Sequence, residues 1–213
     1  MTTPNESLVM GSSLVSFGSS VSAGLRADVM DCLLYAQLSA DKKYDRRQNW
    51  RQWIEQYQRV IYQKGSRISG ALNPVQIKIQ RLQDLRTVRY YLSGAATSPE
   101  LQALLERSID ALMGSEHAKA FFSTWFVSGR SESMQVIPCE ARADGGVNIL
   151  VCGLQMTTSA FTSGFFFWEV PSGEMIVRSN GASFMMTEES YAPFRKPIAR
   201  YLGAQARRVI LEL

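Results

Sequence analysis

The chain has 213 residues, 46% of them hydrophobic and 20% charged, a globular balance with apolar content for one domain or two small ones. No apolar run approaches the roughly 18 to 20 residues of a membrane-crossing helix. Three scattered cysteines, Cys32, Cys139 and Cys152, do not make a disulfide framework. The net charge of +4 hides an asymmetry: between Asp41 and Leu92 twelve Lys or Arg face four Asp or Glu, so this stretch carries +8 and the remainder −4.

The first 22 residues are rich in Ser and Gly with scattered Leu, Val and Phe, and are expected to be a flexible arm that orders on a partner. They lack the basic start and continuous apolar stretch of a secretory signal, so the expectation is a cytoplasmic protein, with release without a signal peptide as the alternative. From about Val21 to Lys42 the apolar residues Val21, Leu25, Val29, Cys32, Leu33 and Ala36 recur three or four apart, which predicts a helix with one buried face. Asp45 can cap a second helix in which Trp50, Trp53, Ile54, Tyr57 and Ile61 share a face and Gly65 supplies the stop.

After Asn73-Pro74, the alternation of Val75, Ile77 and Ile79 with Gln76, Lys78 and Gln80 predicts a short strand. Helical spacing returns from Leu82 to Leu92. Ser98-Pro99 then opens a helix with Leu101, Leu104, Leu105, Ile109 and Leu112 on one face, and a further helix is expected from Ser115 to Val127. Beyond Gly129, residues 135–142 and 147–158 flank an Asp144-Gly145-Gly146 turn and read as a hairpin. Further short strands are expected at 164–170, 174–179 and 183–186. Thr187 can cap a last helix carrying Tyr191, Phe194, Ile198, Tyr201 and Leu202, followed by a tail after Gly203.

This order predicts an α+β fold. A helical part over 23–129 packs on a four- to five-stranded antiparallel meander with a C-terminal helix over 130–213, the two forming a single domain over 23–213.

Two stretches, Leu33 to Gly65 and Tyr191 to Leu213, resemble the two ends of a family of small bacterial and fungal proteins with no established activity. The shared features are an Ala-Gln-Leu helix, a Trp/Tyr helix and a closing Leu-Gly-x-x-Ala segment. The resemblance implies one co-folded unit and assigns no site residue.

The candidate chemistry is sparse. His117 is the only histidine, so centres built on two or more histidines cannot form within one chain, and no Gly-x-Ser-x-Gly or phosphate-cradling glycine motif occurs. Glu188-Glu189 suits a helix start, where the dipole favours negative charge. Glu169 beside Trp168 is the one carboxylate with a case for a raised pKa in an apolar pocket. No catalytic residue, cofactor or metal ligand is therefore expected. The basic stretch raises nucleic-acid binding, but Trp50, Trp53 and Tyr57 share a face with Ile54 and Ile61 and belong to a core rather than a stacking platform. What remains is a basic surface carrying Arg47, Arg51 and Arg59.

The run Phe165, Phe166, Phe167 and Trp168 would be apolar on both faces as a strand, so one face needs cover from the terminal helix, a partner or lipid. The leading expectation is a non-catalytic interaction or self-assembly protein whose partner is itself or another protein. The alternative is a toxin-like or virulence protein engaging a membrane through the aromatic run and the basic surface. A small enzyme comes third.

Overall fold

The computed structural model describes residues 6–79, 98–114, 132–158, 175–203 and 210–212. Within them the fold is α+β, but the sheet is larger than a four- or five-stranded meander and it is mixed. Eight strands run in the order β3-β7-β6-β5-β2-β1-β8, with β4 also paired to β7. Their ranges are β1 Glu6–Met10, β2 Ser13–Phe17, β3 Arg67–Ala71, β4 Val75–Ile79, β5 Glu132–Ala141, β6 Val147–Thr158, β7 Met175–Met186 and β8 Ile210–Glu212. The helices are α1 Ala23–Lys43, α2 Trp50–Gln63, α3 Pro99–Gly114 and α4 Glu188–Leu202.

The mixed character comes from the N-terminus. Residues 6–17, expected as a flexible arm, form instead a hairpin in which Met10 pairs with Ser13 and Glu6 with Phe17. Gly11, at φ 57°, heads its two-residue turn. β2 then lies parallel to β5, with Ser13 opposite Gln135 and Phe17 opposite Cys139, while the other pairings are antiparallel. Leu8, Met10, Val15 and Phe17 point to one side of the sheet and Val9 and Leu14 to the other, all buried. A strand covered on both faces shows no apolar/polar alternation, and its buried serines disguise it as linker. Their hydroxyls are engaged: Ser12 and Ser13 Oγ both donate to Gln135 Oε1, at 3.0 and 3.1 Å.

The predicted β hairpin is present as β5 and β6, joined through a turn in which the Arg142 and Gly146 backbones bond and Gly145 takes a positive φ. β7 is one twelve-residue strand that runs through Ser179-Asn180-Gly181, where the sequence suggested two pieces. Its outer edge is shared: β3 pairs with one half of it and β4 with the other. Within the expected tail after Gly203, Ile210–Glu212 is extended and pairs antiparallel with β1 as β8.

Three helices cover one face. α1 is capped by Ser22, whose Oγ accepts from Leu25 N, and α4 by a Thr187/Ser190 capping box. Leu25, Val29, Cys32, Leu33 and Ala36 of α1, with Tyr191, Ile198 and Leu202 of α4, join Ile137, Cys139, Ile149, Val151 and Phe184 of the sheet in one core. α2 contributes Trp50, Trp53, Ile54, Tyr57, Val60 and Ile61 to the same core, as its period predicts. Asn49, not Asp45, stands at its N-cap; Asp45 accepts from Arg47 N and Gln48 N in the preceding turn. α3 packs on β2 and β5 from the opposite face, burying Leu101, Leu104 and Leu105. Its start is as predicted, with Ser98 Oγ accepting from Leu101 N at 3.0 Å. The helices expected at 82–92 and 115–127, and the strand at 164–170, lie outside the described residues.

Candidate interaction surface

Burying one face of α2 fixes what the other face presents. Four-residue spacing places Arg51, Glu55 and Arg59 in one exposed stripe, with Arg47 just ahead of the first turn. Arg51 Nε meets Glu55 Oε1 at 3.2 Å, a solvated pair that holds little energy and leaves the surface basic. Tyr62, 54% exposed, follows in the last turn, and Lys43 at the end of α1 reaches Gln56 Oε1 at 3.4 Å. Arg47, Arg51 and Arg59 are all exposed, Arg51 and Arg59 on α2 and Arg47 in the turn that precedes it. Phe165, Phe166, Phe167 and Trp168 lie outside the described residues, as do His117 and Glu169.

Beneath this surface lies a polar cluster that sequence reasoning missed. Trp53 Nε1 donates to Asp41 Oδ1 at 2.7 Å, its ring stacks on Tyr57 at 5.3 Å, and the Arg46 guanidinium lies 5.3 Å over that ring. Arg46 Nη1 also donates to Ser12 Oγ, tying the α1–α2 connection to the β1–β2 turn. Burial raises the Asp41 carboxyl above its usual range, opposed by the Trp53 hydrogen bond and the Arg46 charge. Tyr57 is fully buried and its hydroxyl pKa is pushed upward, first by desolvation.

A second missed contact joins α1 to α4. Arg195 Nε and Nη2 donate to the two oxygens of Asp28 at 2.7 and 2.5 Å, and Asp28 is buried. Asp31, a turn further along α1, has its carboxyl raised first by burial and then by the Asp28 charge. The sequence signal for such a pair is weak, because its members are 167 residues apart. Both contacts fasten helices to their neighbours.

The cysteines offer no reactive centre. Cys139 and Cys152 stand on adjacent strands, but the register pairs Val136 with Cys152 and Cys139 with Ile149, so the two side chains leave opposite faces of the sheet. All three thiols are free and buried; desolvation pushes Cys32 and Cys152 up to about 12. Among the described residues no group of three or more His, Cys, Asp or Glu is placed to hold a metal ion. No helix among them is long and apolar enough to cross a membrane.

The architecture is therefore a mixed sheet with a three-helix layer on one face and a helix on the other, a basic helix face outermost. No protein family matches the sequence, and no curated protein does. Solved structures do share the fold. A delta-endotoxin superimposes with a TM-score of 0.51 at 12% identity, covering 84% of each chain. The activated Cyt2Ba monomer from Bacillus thuringiensis subsp. israelensis also gives 0.51, at 10% identity over 81% of this chain and 96% of its own. The Evf virulence factor overlaps more loosely, at 0.36 and 10% identity over 91% and 83% of the two chains.

Proposed function

We propose that this chain is a toxin-like protein that engages membrane surfaces through the basic outer face of its helical layer. The observation that carries the reading is the fold, which is similar to a delta-endotoxin and to the activated Cyt2Ba monomer over more than four-fifths of this chain. The surface chemistry supports it. Arg47, Arg51 and Arg59 are exposed on and just ahead of α2, and each cation near an anionic leaflet contributes about 1 kcal/mol. Tyr62 at the end of the same face has the amphipathic character suited to a headgroup boundary. The rival reading, self-assembly through an N-terminal arm, loses ground because residues 6–17 are built into the sheet.

The test is flotation of the full chain with vesicles containing a third phosphatidylserine, at low and high salt. The wild type should float at low salt and be released at high salt. The triple variant Arg47→Glu/Arg51→Glu/Arg59→Glu should bind at least about a hundredfold more weakly, from three lost attractions and the repulsions that replace them. A wild type that never floats ends the membrane reading, and a variant that floats normally removes the basic face from it.

A further inference from the structure

Where α1, α4 and the end of α2 meet, two aromatic rings flank one ammonium and a third packs edge-on against one of them. Lys64, the C-cap of α2, places Nζ 5.4 Å from the Tyr35 ring centroid and 5.2 Å from that of Phe194. Tyr35 also takes Tyr201 edge-on, with centroids 5.1 Å apart and planes at 79°. Tyr35 belongs to α1, while Phe194 and Tyr201 lie two turns apart on α4, so the packing of these helices fixes the rings. Tyr35 and Phe194 are half-buried against the core, whereas Tyr201 is 54% exposed and opens the cluster to solvent. Among the described residues Lys64 has no carboxylate partner. Its ammonium lies against the Tyr35 and Phe194 rings.

We propose that Tyr35, Lys64, Phe194 and Tyr201 form a binding site for a phosphocholine group. Two ring faces that hold a lysine ammonium offer the same negative quadrupole to a quaternary ammonium. The exchange favours the ligand: a trimethylammonium group has no N–H to leave unsatisfied, whereas Lys64 has three donors that rings satisfy poorly. Displaced from the rings, Lys64 is tethered beside the ligand and free to pair with the phosphate that choline carries, in a charge-assisted hydrogen bond. The site reads both ends of the zwitterion, the rings taking the cation and Lys64 the anion. No covalent step is involved. Phosphocholine can arrive as a lipid headgroup or as the free compound; the inference rests on the membrane reading only for the first source.

The test is an NMR titration of the full chain with free phosphocholine, with phosphoethanolamine and choline as controls. Phosphocholine should shift the side-chain signals of Tyr35, Phe194 and Tyr201 saturably and bind about fivefold or more tightly than phosphoethanolamine. Phe194→Leu, which keeps apolar volume and removes the ring, should weaken it by about five- to tenfold. Tyr201→Ala, at an exposed position, should also weaken it and serves if the Phe194 variant loses its circular dichroism. Lys64→Met should retain choline and lose the preference for phosphocholine over choline. Equal binding of phosphoethanolamine, or undiminished binding by both ring variants, overturns the site. Flotation with phosphatidylcholine vesicles then identifies the source. Flotation lost with Phe194→Leu marks the bilayer, whereas free phosphocholine binding without flotation marks the soluble compound. Failure of the titration leaves binding to anionic vesicles standing, so the two readings fail separately.

Discussion

Trp53 faces inward from α2 and ties it to Asp41 of α1 and to Arg46 of the connection between the two helices. It is fully buried, stacks on Tyr57 and donates to Asp41 at 2.7 Å. Trp53→Ala removes the ring and leaves a cavity among Tyr57, Arg46 and the sheet, at a cost of about 3 to 5 kcal/mol. Trp53→Phe keeps a ring on Tyr57 but loses the indole N–H and part of the volume. Asp41 loses its indole partner, so this change should cost about 2 kcal/mol, roughly half of it the hydrogen bond. Against a total stability on the order of 5 to 15 kcal/mol, the alanine variant is visibly weakened. Urea unfolding followed by far-ultraviolet circular dichroism measures both, with a double-mutant cycle to Asp41→Ala isolating about 1 kcal/mol of coupling. An alanine variant within about 1 kcal/mol of wild type would refute the placement of Trp53 in the core.

Arg195→Met should cost about 3 kcal/mol by leaving Asp28 buried without its partner, and Asp28→Leu/Arg195→Met should recover most of this in the same urea assay. Gly65→Ala should lower the melting temperature markedly, since Gly65 has φ 91° and an added Cβ would stand 2.2 Å from the Ser190 carbonyl oxygen; replacement should cost about 2 kcal/mol or more. Asp31→Asn should stabilise the protein at neutral pH, because burial raises the Asp31 carboxyl in the fold above 3.8. The folded state then binds more protons than the unfolded chain between 3.8 and the raised value, so this residue's contribution falls as pH rises through that window. The gain from Asn should accordingly vanish in unfolding measurements below about pH 3.8, and a gain that persists there would contradict the argument.

The local chemistry of this chain is written in short-range signals. Ser98-Pro99, Thr187 and Asp144-Gly145-Gly146 start two helices and turn a hairpin where the sequence says they should, because caps and turns depend on residues within four positions of one another. The spacing of Trp50, Trp53, Ile54, Tyr57 and Ile61 likewise set the inner face of α2, and so left Arg51 and Arg59 on the outside. Tertiary structure alone decided what the N-terminal serines are. Their place depends on β5, more than a hundred residues away, whose parallel pairing and Gln135 side chain turn a Ser/Gly-rich stretch into the interior of a sheet. The same holds for Asp28 with Arg195, and for Lys64 against Tyr35 and Phe194. Each joins helices far apart in the chain, and no periodicity within one segment records which distant segment will cover it.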